Sequence, residues 1–285
     1  MISVQEYKGG TSTWWCPGCG NFVILNTIKK ALSGLNIAPH EMAIFSGIGQ
    51  AAKLPLYMRC NVLNGLHGRA LPLATGARYA NHTLKTIVIG GDGDGFAEGG
   101  NHFLHVIRRN PDLAYFAHNN QVYGLTRGQA SPTSDPGFVT STTPGGVVYE
   151  RFNAAAVAIS LNASFVARTH TGAMDHMVKM MQLAIEHKGF AFLEILQHCI
   201  SYNRVNTVRW YREHAYDIAE EEYDPTDRMA ALERSLEWGE RFPIGVLYQC
   251  DRPIMTERVP ILKKGPLVEQ AIGPRDIGTL LDTFR

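Results

Sequence analysis

The apolar run Thr86-Ile87-Val88-Ile89 passes through Gly90 into Gly91-Asp92-Gly93-Asp94, and this junction constrains the fold more than any other part of the chain. An apolar strand that stops on an acidic, glycine-rich turn belongs in a parallel sheet, whose strand ends carry ligand-binding loops. Glycines on either side of Asp92 permit a sharp turn and close backbone approach. After a helical stretch, a second apolar run, Leu113-Ala114-Tyr115-Phe116-Ala117, delivers Asn119-Asn120 to the same sheet edge. One carboxylate and one amide carbonyl at that edge suit Mg²⁺, a hard cation that keeps phosphate oxygens in its shell. By itself Gly-Asp-Gly is a common turn; its pairing with Asn-Asn points to a metal–diphosphate site.

Alternation of strand-like and helical patterns runs through the first two-thirds of the chain, the signature of a mostly parallel α/β sheet with helices on both faces. Helices are expected over residues 22–32, 70–80, 96–109 and 153–161, and strands over 42–45, 86–89, 113–117, 164–167 and 190–196. In the first helix Phe22, Ile24, Leu25, Ile28 and Leu32 share a face. Met174, Met177, Val178, Met181 and Ile185 recur at helical spacing before Gly189, a candidate C-cap, and read as core packing. After Cys199 the texture changes. Residues 218–240 are rich in charge, and prolines recur at Pro243, Pro253, Pro260, Pro266 and Pro274, with one strand candidate at 244–248. Residues 1–200 are thus expected to form the ligand-binding α/β domain. Residues 201–285 are expected to form a C-terminal extension, an arm that packs on that domain or wraps a neighbour.

With 285 residues and 45% apolar content the chain can bury a full core. A net charge of +1 and the lack of a basic patch with interleaved aromatics argue against nucleic acid. No apolar run approaches bilayer length and no signal-peptide pattern opens the chain, so no membrane association is expected. Five cysteines, Cys16, Cys19, Cys60, Cys199 and Cys250, are an odd set that fits reduced thiols in the cytoplasm better than a secreted disulfide framework.

Trp15-Cys16-Pro17-Gly18-Cys19-Gly20 is the second chemical signal. A C-x-x-C turn brings two sulfurs to one soft metal centre, zinc or an iron–sulfur cluster, or forms a thiol redox pair. Cys199 follows the strand at 190–196, at the sheet edge where the ligand loops gather. Ser46-Gly47-Ile48-Gly49 is a tight turn with backbone N–H groups suited to an anion or a cofactor ring. His67-Gly68-Arg69 precedes a helix, whose N-terminal N–H groups favour phosphate. Lys53, and Leu125-Thr126-Arg127, leave loops that should converge on a reacting carbon, where a cation can pair with a substrate carboxylate. His102, His105, Arg108 and Arg109 read as a polar helix face, and Glu220-Glu221-Glu222 as a solvated acidic run.

GDGD followed by NN resembles the motif of the thiamine diphosphate (ThDP)-dependent enzymes. That resemblance implies Asp92, the Asn120 side chain and the Val122 backbone carbonyl as Mg²⁺ ligands, with Asp94 beside the diphosphate. WCPGCGN, SGIG, LHGRALPLATG, GDGD, GGNH, NNQVYGLTRGQ and a late cysteine occur in this order over residues 12–200, with a weaker signal at 243–248. Together they look like the β subunit of 2-oxoacid:ferredoxin oxidoreductases. The likeness implies a ThDP pocket lined by Cys19, Ser46, Gly47, Ile48, Gly49, His67, Gly68, Gly91, Gly93, Gly124, Leu125 and Thr126 as well as the residues already named. Lys53, His67 and Leu125 would act on the substrate, Lys53 by fixing the distal carboxylate of 2-oxoglutarate.

It also implies a 4Fe–4S cluster on Cys16, Cys19 and Cys199. The family's remaining cysteine directly follows SGIG, and Gln50 stands there in this chain. Either Cys60 supplies a fourth thiolate, or the cluster has an unusual ligand or is absent. The implied activity is CoA-dependent oxidative decarboxylation of a 2-oxoacid to acyl-CoA and CO2 with ferredoxin reduced, or the reverse carboxylation. No second ThDP-type domain is visible, so an α subunit supplying the pyrimidine side is implied, as αβ or (αβ)2. Two other readings remain open at this point: a non-redox ThDP decarboxylase or carboligase subunit, and a non-catalytic zinc-binding α/β protein.

Overall fold

The computed structural model describes residues 1–271, 273 and 277–285, so Pro274 lies outside the described residues. Helix α1 spans Gly20–Gly34, and strands β1 and β2 span Met42–Ser46 and Asn61–Asn64. They are followed by α2 (Ala70–Ala80), β3 (Lys85–Gly91), α3 (Gly100–Arg109) and β4 (Leu113–Asn119). A small ribbon, β5 (Val122–Tyr123) and β6 (Gln129–Ala130), leads to α4 (Ala154–Ser160), β7 (Phe165–His170), α5 (Met174–Glu186) and β8 (Phe190–Leu196). The last third holds α6 (Val208–His214), β9 (Ala215–Asp217), α7 (Arg228–Leu236), β10 (Phe242–Gln249), α8 (Met255–Arg258) and α9 (Gly278–Asp282).

Eight strands form one sheet in the order β2-β1-β3-β4-β8-β7-β10-β9, parallel except where β10 runs against β7. Successive strand residues face opposite sides, and the sequence fills both. Ile44, Ile87, Ile89, Phe116 and Leu193 meet Ile24 and Ile28 of α1 and Met177 and Met181 of α5 on one face. Phe45, Val88, Tyr115 and Phe192 meet Leu71, Phe103, Ile159 and Ala231 from α2, α3, α4 and α7 on the other. The expected layers are therefore present. None of the described helices is long and apolar enough to cross a membrane.

Local differences have local causes. The methionine stripe is buried at Met177, Met180 and Met181, whereas Met174, on the first turn of α5, is half-exposed. The helix expected at 96–109 is broken by Gly99 and Gly100. Residues Gly93–Glu98 wind as a π-helical turn and α3 starts only at Gly100, a local widening that recurs at functional sites. Strand β10 is longer than expected and inserts Phe242 and Leu247, both fully buried, beside β7. Residues 201–285 thus complete the sheet before running out over the surface.

Candidate active site

Parallel strands bring their carboxyl ends to one edge, and there β3, β4 and the loops after β1, β2 and β8 meet. A cleft there is lined by Ile48, Gly49, His67, Gly91 to Asp94, Asn120, Val122, Gly124, Leu125 and Thr126. Asp92 is 2% exposed, and its Oδ2 accepts hydrogen bonds from Ser131 Oγ (2.6 Å) and Thr133 Oγ1 (2.7 Å). Burial pushes its carboxyl up to about 6, an effect those hydroxyls partly offset. Asn120 Oδ1 accepts the Val122 N–H (3.1 Å), closing a turn that aims the amide at the cleft, and an amide oxygen keeps a second lone pair for a cation. The preceding Asn119 is a buried strut: its Nδ2 donates to Glu194 Oε1 (2.8 Å), and its Oδ1 accepts the Gln121 N–H (3.3 Å). Glu194 is itself held by Arg168 Nε (2.8 Å). Burial opposes ionisation of Glu194, but Arg168 and Arg151 bring its carboxyl below the usual range.

Asp94 has a task that the sequence did not announce. Its Oδ1 accepts the backbone N–H groups of Ile48 (3.0 Å) and Gly68 (2.9 Å) and lies 3.3 Å from His67 Nδ1. The SGIG and HGR loops are thereby tied to the GDGD turn, and those two N–H groups are spent on Asp94. Burial raises the Asp94 carboxyl and the two N–H donors lower it. Close packing explains two of the glycines. A Cβ on Gly47 would stand 1.9 Å from Asp94 Oδ2, and one on Gly68, whose φ is +66°, would strike the Glu98 backbone at 2.4 Å. Ser46, Gly47 and Gly68 therefore support the cleft without lining it. Lys53 is half-buried on the turn Ala51–Tyr57 and is also outside the lining.

A second cavity adjoins the first, lined by Trp15, Cys16, Cys19, Asn21, Gln50, Asn120, Gly124, Cys199, Ile200, Ser201 and Tyr202. Gln50, Asn120 and Gly124 face both cavities. The segments carrying the three cysteines are pinned together. Trp15 Nε1 donates to the Gln50 carbonyl (2.8 Å), and His198 Nε2, beside Cys199, donates to the Gly18 carbonyl (3.0 Å). Ser201 Oγ donates to Cys16 Sγ (3.3 Å) and Gln197 Nε2 to Cys19 Sγ (3.7 Å). Burial raises the Cys19 thiol.

Cys60 is not brought to this group. It precedes β2, which runs parallel to β1, so it sits at the amino edge of the sheet beside Pro39 and His40. Four strand residues, roughly 13 Å of chain, separate that edge from the other. Cys60 Sγ donates to the Pro55 carbonyl (3.7 Å), and burial pushes its thiol up to about 12. Cys250 is held near Asn162 and Ala163, away from both cavities. Among the described residues no three His, Cys, Asp or Glu side chains converge closely enough, as they stand, to hold a metal ion. A hard cation does not require such a trio, since a carboxylate, an amide oxygen and a backbone carbonyl can hold one.

Sequence reasoning missed His118, Ser131, Thr133 and His198. His118 lines the cleft and is 1% exposed; its Nδ1–H donates to Asn21 Oδ1 (2.9 Å), and its Nε2 is buried without a partner. Burial lowers it to about 3, so it is neutral. Two side-chain hydroxyls within Ser131-Pro132-Thr133-Ser134 reach Asp92, and that hydroxyl-rich run was the one available signal for them.

Residues 43–195 match the family described as the thiamine pyrophosphate enzyme, C-terminal TPP binding domain. Residues 199–264 match the family described as the C-terminal part of the pyruvate ferredoxin oxidoreductase beta subunit. The β subunit of 2-oxoacid:ferredoxin oxidoreductase 1 from Aeropyrum pernix is 40% identical over 86% of this chain and 80% of that one. The chain belongs to the β subunits of the 2-oxoacid:ferredoxin oxidoreductases. The corresponding subunit of Saccharolobus solfataricus is 42% identical to this β subunit over 82% of the chain and 81% of the relative. A solved 2-oxoglutarate:ferredoxin oxidoreductase from Magnetococcus marinus, with 2-oxoglutarate, coenzyme A and succinyl-CoA bound, superposes with a TM-score of 0.91 at 34% identity. That match covers 100% of this β subunit and 96% of the solved chain. A thiamine pyrophosphate-binding fold thus underlies the cleft, and the Asp92–Asn120 pair lies within the matched residues.

Proposed function

We propose that this β subunit, with an α partner, catalyses the CoA-dependent oxidative decarboxylation of a 2-oxoacid, best fitted by 2-oxoglutarate, or its reverse. Ferredoxin is the proposed electron acceptor. The observation that carries the reading is the contact between two cavities, one built on Asp92 and Asn120, the other on Cys16, Cys19 and Cys199, with Gln50, Asn120 and Gly124 as their common wall. Asp92, the Asn120 amide and the Val122 carbonyl would hold Mg²⁺ against the diphosphate, and the three cysteines an iron–sulfur cluster. Thiamine diphosphate, when bound, supplies the electron sink for decarboxylation.

The chain's own residues do the positioning. Asp94 locks three loops around the diphosphate end. Neutral His118 lines the cleft with its unprotonated Nε2 buried and unpaired. Leu125, 43% exposed at the cleft, offers an apolar wall beside the reacting carbon. Lys53, which makes no ion pair among the described residues, would turn toward the distal carboxylate of a dicarboxylic substrate. If Lys53→Ala leaves the preference for 2-oxoglutarate over pyruvate unchanged, that role is wrong. Exposed Val268, Leu280, Leu281 and Phe284 near the C-terminus suit docking on the α partner.

The test is anaerobic co-purification with the α subunit, followed by assay of 2-oxoacids with coenzyme A and a one-electron acceptor. Activity is expected only from the assembled subunits. Lack of iron–sulfur colour bleached by dithionite, with ThDP retained, would favour a non-redox ThDP subunit.

A further inference from the structure

We propose that Gln50 occupies the fourth corner of the three-cysteine site, leaving one iron of the cluster without a thiolate and therefore exchangeable. The inference rests on the iron–sulfur reading above and goes beyond it in assigning the ligand set. Gln50 lines the same cavity as Cys16, Cys19 and Cys199. Its Oε1 is buried and has no hydrogen-bond partner, whereas its main chain is pinned by Trp15 Nε1. An orphaned buried acceptor is destabilising unless something binds it. No further cysteine lines the cavity among the described residues: Cys60 lies at the opposite sheet edge and Cys250 beside Asn162.

An amide oxygen is neutral and hard, and it binds iron more weakly than a thiolate. One-electron oxidation of the four-iron cluster by ferricyanide then releases one Fe²⁺ and leaves a three-iron cluster on the three thiolates. All the sulfide is retained, and ferricyanide becomes ferrocyanide. Added Fe²⁺ and one electron from dithionite reverse the step. Because Gln50 lines both cavities, an iron held by its amide would lie at the wall shared with the cleft. Replacing an anionic ligand by a neutral one, with hydrogen bonds from Ser201 and Gln197 to two of the sulfurs, raises the reduction potential above that of a four-thiolate cluster.

The test uses the enzyme co-purified anaerobically with its α subunit, as wild type, Gln50→Cys and Cys60→Ser. After ferricyanide the wild type and Cys60→Ser are expected to lose about a quarter of the iron of this cluster with sulfide retained. They should show the near-isotropic EPR signal of an oxidised three-iron cluster, abolished by Fe²⁺ and dithionite. Gln50→Cys should resist ferricyanide and titrate at a lower potential. Equal resistance in wild type and Gln50→Cys would overturn the assignment while leaving the cluster in place. Iron loss in Cys60→Ser before any oxidant would overturn it in favour of a fourth thiolate. Zinc, or no metal, in every sample would overturn the iron–sulfur reading itself.

Discussion

Asp92 and Asn120 were legible because each ends an apolar strand, but the groups that tune them come from elsewhere in the chain. Ser131 and Thr133, about forty positions on, donate to buried Asp92 and partly offset the rise that burial imposes on its carboxyl. Asp92→Ala or Asn120→Ala is expected to abolish ThDP retention after gel filtration, measured as cofactor released on denaturation, with the unfolding transition preserved. His170, at the end of β7, gives a separate signature. It is 3% exposed, accepts the Gly172 N–H at Nδ1, and faces His176, Arg212 and Tyr211; burial, then the first two of these, lowers it to about 4. The folded state therefore refuses a proton that the unfolded chain accepts below about pH 6.5. Stability should be complete above that pH and fall by up to about 3 kcal/mol as pH drops toward 4. His170→Asn, which keeps an acceptor, should flatten this part of a urea-midpoint-against-pH curve; an unchanged slope would mean other groups carry it.

At the scale of elements, period and punctuation located most helices and strands, and the misses occur where tertiary contacts decide. Strand β2 is four exposed residues with no alternation to detect, and it exists because β1 offers an edge and Asn64 Nδ2 donates to Ser46 Oγ (2.9 Å) and the Gly47 carbonyl (2.8 Å). The π-helical turn after Asp92 departs from the α-helix that the pattern implies, because Asp94 is held by two loops at once. Glycines separate these cases experimentally. Gly76, in the interior of α2, has open space where a Cβ would go. Gly76→Ala should stabilise by about 0.5–1 kcal/mol. Gly68→Ala, strained at φ +66° and blocked by the Glu98 backbone, should instead cost about 1–3 kcal/mol and weaken ThDP binding. Chemical denaturation of the two variants side by side checks both signs.

For the whole molecule, the C-terminal third is part of the sheet before it is an arm. Strand β10 pairs with β7 along Gly245–Arg168 to Gln249–Phe165 and contributes buried Phe242, Leu247 and Tyr248. Deleting residues 242–285 should expose β7 as an unprotected edge and drive the chain into the insoluble fraction. Removing only residues 266–285, where Leu267, Val268, Leu281 and Phe284 are exposed, should leave a cooperative unfolding transition and impair assembly with the α subunit. Soluble yield and thermal melts of the two truncations decide it, and a soluble, cooperative 1–241 fragment would show that the sheet closes without β10.

From the sequence alone followed the alternating α/β architecture and the placing of Asp92 and Asn120 at one sheet edge, since strand period, glycine turns and strand ends are local properties; the grouping of Cys16, Cys19 and Cys199 came from the family resemblance. Only the tertiary structure decided that Asp94 serves as a clamp, that Ser131 and Thr133 support Asp92, and that Cys60 faces the wrong edge while Gln50 joins the two cavities. Those facts depend on which segments a parallel sheet brings side by side, and sequence separation carries no record of that distance.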